Sequence, residues 1–103
     1  MSFNNYIKIG KNKYDNDRLF TLAENHHTWF HIANAPSAHL WFCESIDNFS
    51  KQDLYKIGLE LKKNSKYSKI NAIEIVYAQK SQLQQTNIPG QIVISGKSKI
   101  LKV

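Results

Sequence analysis

Fifteen consecutive residues, Trp29 to Cys43, hold both tryptophans of this chain, two of its four histidines and one of its two prolines. Apolar runs flank a polar centre, so the stretch reads as strand, turn, strand: Thr28 to Ala33, a Pro36-Ser37 turn, then Ala38 to Cys43. A plain hairpin needs only alternation and a turn residue. This one also places His31, Ser37 and His39 around its turn beside large rings, a mixture of polar tips and stacking surfaces that suits ligand contact.

The flanking segments suggest what the hairpin pairs and packs with. Phe3 to Ile9 alternates loosely and stops at Gly10, as a strand closed by a turn does. Asp15 or Asn16 is suited to cap a short helix whose Leu19, Leu22 and Ala23 face inward. Ser50 with Asp53 resembles a capping box, and Leu54, Ile57, Gly58 and Leu61 then recur at the spacing of an amphipathic helix that ends near Asn64-Ser65. Gly58 costs about 1 kcal/mol against alanine inside a helix, which points to close packing on a strand there. Ile73, Ile75 and Tyr77 alternate as another strand, and Gln79 to Thr86 reads as one or two helical turns. After a Pro89-Gly90 turn, Gln91–Ser95 and Lys99–Val103 read as a final hairpin around Ser95-Gly96-Lys97. The expected class is α+β, with two or three helices on a mainly antiparallel sheet.

At 103 residues a single domain over 1–103 is expected, with no repeats or linkers. No run nears the roughly 18 apolar residues of a membrane span, and Met1 to Asn5 lacks a signal pattern. Cys43 is the only cysteine, so no internal disulfide forms, and a reducing, cytoplasmic setting is expected. The net charge of +6 is uneven: residues 1–50 sum to −1, whereas residues 51–103 carry ten lysines against Asp53, Glu60 and Glu74 and sum to +7. A basic half favours a polyanionic partner. The alternative is a solvated, lysine-rich surface, since lysine outnumbers arginine thirteen to one in a composition also rich in asparagine and isoleucine.

The polar residues admit several chemistries. His31 and His39 can approach across the turn, but His39 and Cys43 lie about 13 Å apart along a strand, a poor spacing for one ion. His26-His27 in a polar loop reads as surface. A Ser37–His39 pair oriented by Asp15 or Asp17 lacks a glycine-rich elbow or oxyanion loop, and serine after proline is usually a turn former. Asp15 and Asp17 are better explained as groups favouring a helix N-terminus than as a hydrolytic pair. No phosphate-cradling glycine loop exists, because Gly10 stands apart from the other glycines. No cofactor or metal is expected. Lys8, Lys11, Lys13 and Arg18 bracket the first turn as a second basic cluster. Together with Tyr6, Tyr14, Tyr55 and Tyr67 they suit single-stranded nucleic acid, though each tyrosine alone reads equally as boundary packing.

These motifs together resemble a known family. Ile9-Gly10-Lys11-Asn12-Lys13-Tyr14-Asp15-Asn16-Asp17-Arg18-Leu19 resembles the opening signature of the NFACT-R domain. Trp29-Phe30-His31 with Pro36-Ser37-Ala38-His39-Leu40 resembles its second. Lys63-Asn64-Ser65-Lys66, Val76-Tyr77 and Gly90-Gln91-Ile92 follow in the family's order. The chain departs from the pattern at His27, where an acidic residue is usual, and at Gln84-Gln85-Thr86, where a basic cluster is usual. The resemblance implies an α+β nucleic-acid-binding module without established catalysis, nearer the stand-alone branch of the family. That branch continues into a basic coiled coil that the 103 residues do not include, so the resemblance leaves the oligomeric state open. RNA is favoured over DNA, either tRNA or ribosomal RNA, in translation or ribosome quality control. Ribosome or translation factors are then possible partners, and a membrane is not. The expected interface comprises Lys11, Lys13 and Arg18 on phosphates, Asn12 and Asn16 within the same signature, and His31, Ser37 and His39 on sugar or phosphate. Lys62, Lys63 and Lys66 extend its electrostatic footprint. Two other classes stay open: a protein adaptor on the translation machinery, and a metal-dependent nucleic-acid-processing enzyme built on Asp15, Asp17, His31 and His39.

Overall fold

The computed structural model describes residues 6–103, so the Phe3–Asn5 part of the expected first strand lies outside the described residues. Its elements are β1 (Ile7–Gly10), α1 (Lys13–Leu22), β2 (Thr28–Ile32), β3 (His39–Phe42), α2 (Lys51–Lys63), β4 (Glu74–Gln79), β5 (Leu83–Gln85), β6 (Ile92–Ile94) and β7 (Lys99–Lys102). Five strands form one antiparallel sheet in the order β1-β3-β2-β4-β7, and β5 and β6 pair as a separate ribbon. The fold is α+β with a mainly antiparallel sheet, as expected. Among the described residues no helix is long and apolar enough to cross a membrane.

The predicted hairpin is the middle of the sheet. Trp29 pairs with Trp41 and Phe30 with Leu40, and all four residues of β3 are buried. Because side chains alternate across a strand, the two faces receive different sets. Phe30, Ile32, Leu40 and Phe42 join Ile75 and Tyr77 on one face, where Ile57 and Leu61 of α2 cover them. Trp29 and Trp41 emerge on the other face with Ala78, covered by Leu19 of α1 and Leu83 of β5. The capping box at Ser50–Asp53 is present in both directions at 3.1 Å. Gly58 faces the sheet at close range: a Cβ there would lie 3.0 Å from Val103 Cγ1 and 3.1 Å from Leu101 Cδ1.

Two expectations for the first helix are corrected. The first helix starts earlier, with Asn12 as its cap; Asn12 Oδ1 accepts the Asp15 N–H at 2.9 Å. Asp15 instead turns back to accept from the Lys11 N–H at 3.3 Å and from Arg18 at 2.6 Å, and the Arg18 guanidinium holds its carboxyl below the ordinary carboxylate range. Leu22, expected inside, is exposed near the helix end while Leu19 is buried. Replacing Asn12 by alanine is expected to remove about 1 kcal/mol of stability, read as a lowered urea midpoint at unchanged slope.

The 79–86 segment contains one 3-10 turn, Lys80–Gln82, and then becomes β5 because Leu83 is drawn into the second core cluster. The final hairpin does not form. β6 pairs back onto β5 (Leu83 with Ile94, Gln85 with Ile92), and β7 pairs with β4. The Ser95 and Gly96 N–H groups both donate to the Gln82 carbonyl, at 2.7 and 3.2 Å, which fastens Ser95-Gly96 to the ribbon rather than into a hairpin turn.

Candidate nucleic-acid interface

Four separate segments meet around a cleft of about 780 Å³: the β1–α1 junction, the β2–β3 turn, the residues just after α2, and Pro89-Gly90. Lys11, Asn12, Lys13 and Asn16 line it from the first, His31, Ser37 and His39 from the second, and Asn64, Ser65 and Lys66 from the third. Three lysines and no carboxylate therefore face this space. It also receives the first turn of α1, whose free N–H groups carry partial positive charge.

Gly90 holds the fourth wall in place. Its N–H donates to Asp17 Oδ1 at 2.8 Å, tying the loop to α1 across 73 positions of sequence. Its φ of +79° lies in the left-handed region, and a Cβ there would fall 2.7 Å from Lys13 Cβ and 2.8 Å from Lys13 Cα. Gly90→Ala is expected to cost about 1–2 kcal/mol from backbone strain alone. It should also push the loop off Lys13, visible as faster hydrogen exchange at the Gly90 amide.

At the back of the cleft the histidines form an aromatic cluster with Trp29. His31 stacks parallel to Trp29 at 5.4 Å between ring centres, and His39 meets both edge-on, at 4.9 Å from His31 and 5.6 Å from Trp29. His39 is only 5% exposed, and its Nδ1 has no partner among the described residues. Burial first, and then the neighbouring His31, push its pKa down to about 4, against a small upward pull from Asp17. Burial also lowers His31. Near neutral pH these rings are therefore uncharged hydrogen-bonding and stacking groups; the cleft's positive charge comes from its lysines.

Eight of the eleven expected interface residues line this cleft: Lys11, Asn12, Lys13, Asn16, His31, Ser37, His39 and Lys66. Ser37 is there mainly as a turn former, since its Oγ accepts the Ile32 N–H at 3.1 Å and donates to the Ala38 carbonyl at 2.9 Å. Its one donor is already engaged. Asn16 is buried beside Gly10, with Oδ1 unpartnered among the described residues. Three expected residues are not brought to the cleft. Arg18 is turned to Asp15, Lys63 is exposed elsewhere on α2, and Lys62 is buried with Nζ donating to the Val103 carbonyl at 3.1 Å. No local signal separates Lys62 from its exposed neighbour Lys63, because its partner Val103 lies 41 positions away in sequence. Pro89-Gly90 reads in sequence only as a turn; its contact with Lys13 depends on tertiary structure that a local signal does not carry.

Neither Asp15 nor Asp17 lines the cleft with the histidines, so the four residues of the enzyme alternative do not converge. Elsewhere among the described residues, Glu24, His26 and His27 bring donor atoms within 4.8 Å of one another. His27 Nδ1, however, accepts the Glu24 N–H at 3.1 Å. That contact places the neutral ring's proton on Nε2, which faces the Glu24 carboxylate at 3.4 Å. Such a tautomer caps the loop after α1 and leaves no free ring nitrogen on His27 for an ion.

Comparison with known proteins agrees with this architecture. The C-terminal part of the fibronectin/fibrinogen-binding protein from Streptococcus suis superposes with a TM-score of 0.82 over 94% of this chain and 40% of that one, at 24% identity, a likeness of fold. Coiled-coil domain-containing protein 25 of Danio rerio is 34% identical over 85 residues, covering 78% of this chain. The Mus musculus protein of the same name is 32% identical over 85 residues. The chain spans 41% of the length of these relatives. The family model described as the NFACT protein RNA binding domain matches residues 1–102. The chain therefore belongs to the NFACT RNA-binding domain family and is, as such, a nucleic-acid-binding module.

Proposed function

We propose that the chain binds RNA through its sugar–phosphate backbone along the cleft, with tRNA or ribosomal RNA as the natural ligand, in cytoplasmic translation or ribosome quality control. The observation that carries this reading is the lining itself: Lys11 and Lys13 from the β1–α1 junction meet Lys66 from the residues after α2, with no carboxylate among the lining side chains. The +7 balance of residues 51–103 extends the attraction beyond the cleft. Preference for RNA is supported by the neutral groups between the lysines. The Asn12 amide N–H groups, the Asn64 amide oxygen and the half-buried, uncharged His31 ring can meet a 2′-hydroxyl, which DNA lacks.

The test is fluorescence anisotropy against labelled tRNA, single-stranded RNA and duplex DNA over about 50–300 mM salt. Three lysine–phosphate contacts predict a log–log salt slope near −2 on single-stranded RNA, from about −0.7 per contact. Affinity should rank tRNA or single-stranded RNA above duplex DNA. A slope near zero, or equal weak binding to all three, would overturn the assignment.

A further inference from the structure

Beside the cleft lies a second, largely apolar pocket of about 720 Å³, and the two share His31, Pro36, His39 and Gly90. Its walls include Trp29, Val76, Ile94 and Ile100, again with no carboxylate. Trp29 is 4% exposed and His39 5%, and the Trp29 indole N–H and His39 Nδ1 are closed to solvent, so the two residues offer the pocket ring surface rather than hydrogen-bonding edges. Ile100 is 57% exposed at the rim, an apolar side chain that the rest of the fold does not cover.

We infer that this pocket receives one unstacked nucleobase of the RNA whose backbone lies in the neighbouring cleft. The inference rests on the RNA reading above and adds a base-sized, apolar subsite to it. A base has the required shape: two flat faces for apolar walls, and polar edges that can stay turned toward the cleft and solvent. Trp29 and His31 are already parallel, 16° apart, so a base laid on the half-buried His31 ring becomes the next layer of an existing stack. Burial keeps His31 neutral near pH 7, which favours this stacking role. The shared wall of His31, Pro36, His39 and Gly90 sets this pocket directly against the backbone cleft, within reach of a base on the same strand.

The test uses the intact protein and a single-stranded RNA of about eight nucleotides, within the range one small domain covers. The RNA is titrated unmodified and with one abasic nucleotide placed at each position in turn. Loss of a stacked base is expected to weaken binding about tenfold at one or two positions, leaving the salt slope unchanged. Ile100→Asn, at an exposed site, should remove most of that difference while leaving the affinity for abasic RNA as it was. If every abasic RNA binds as well as the parent while salt-sensitive binding persists, the base pocket is wrong and the backbone cleft stands. If no RNA binds in a salt-sensitive way, both fall. A uniform loss for Ile100→Asn on intact and abasic RNA, or no loss on either, also overturns the pocket.

Discussion

The double substitution Lys11→Glu with Lys13→Glu is expected to weaken tRNA binding by about a hundredfold at low salt. One lysine–phosphate pair about 5 Å apart in water is worth roughly 0.8 kcal/mol. Reversing a charge removes that attraction and adds a repulsion of similar size, so two reversals amount to roughly 3 kcal/mol. The salt slope should also shrink by about 1.4, the share of two contacts. Damage to the fold is a weak alternative explanation. Both side chains are exposed, Lys11 is held through its backbone N–H, and Lys13 opens α1, where a glutamate suits the helix N-terminus. Lys56→Glu with Lys63→Glu makes the same change in net charge at exposed sites outside the cleft and should cost far less. Equal losses for the two double variants would mean that total charge, not the cleft, governs binding.

Mild acid should destabilise the protein well before its carboxylates titrate. His39 has an ordinary pKa of 6.5 and is held down to about 4 in the folded state by burial. Between those values the unfolded chain binds a proton at this position and the folded chain does not, so unfolding takes up a proton. Stability is therefore full above pH 6.5 and falls as pH drops to about 4. At about 1.4 kcal/mol for each pH unit between the two values, His39 alone contributes a loss of about 3 kcal/mol, a large part of a typical total of roughly 5–15 kcal/mol. His31 and His27, both lowered mainly by burial, act with the same sign. Urea midpoints measured from about pH 7.5 to 4.5 should decline steadily. His39→Gln, which cannot titrate, should flatten most of the decline. A stability that holds or rises toward acid would contradict the buried, neutral histidine.

The parts of the fold legible in sequence are those whose causes are local. The β2–β3 hairpin shows as alternation around a proline turn, the capping box as Ser50 and Asp53, and the α2 core face as Leu54, Ile57, Gly58 and Leu61. The illegible parts depend on distant partners. Leu83-Gln84-Gln85 is too short and polar to announce a strand, and becomes one only because Ile92–Ile94 lies beside it. The pairing of β7 with β4 is decided by Ile75 and Leu101 meeting on one face, which no local alternation in 91–103 can show. In α1, Asp15 is a reasonable cap by type, but Asn12 three residues earlier holds the free N–H and Asp15 turns back on Lys11 and Arg18. Likewise the basic and imidazole members of the cleft are legible as residue types, whereas the Gly90–Asp17 contact that shapes its fourth wall is not.

That contact and its neighbours bear on how this protein fails. The cleft's walls come from residues near 9–16, 31–39, 64–66 and 89–90, segments far apart in sequence that only the folded chain brings together. Global unfolding destroys the cleft, so a polyanion that fills it opposes unfolding of the chain. At a free concentration about a hundred times its dissociation constant, such a ligand adds about 2.7 kcal/mol to global stability. In a cell, occupancy and lifetime would then be one quantity: a molecule without its RNA is also the molecule a protease reaches first.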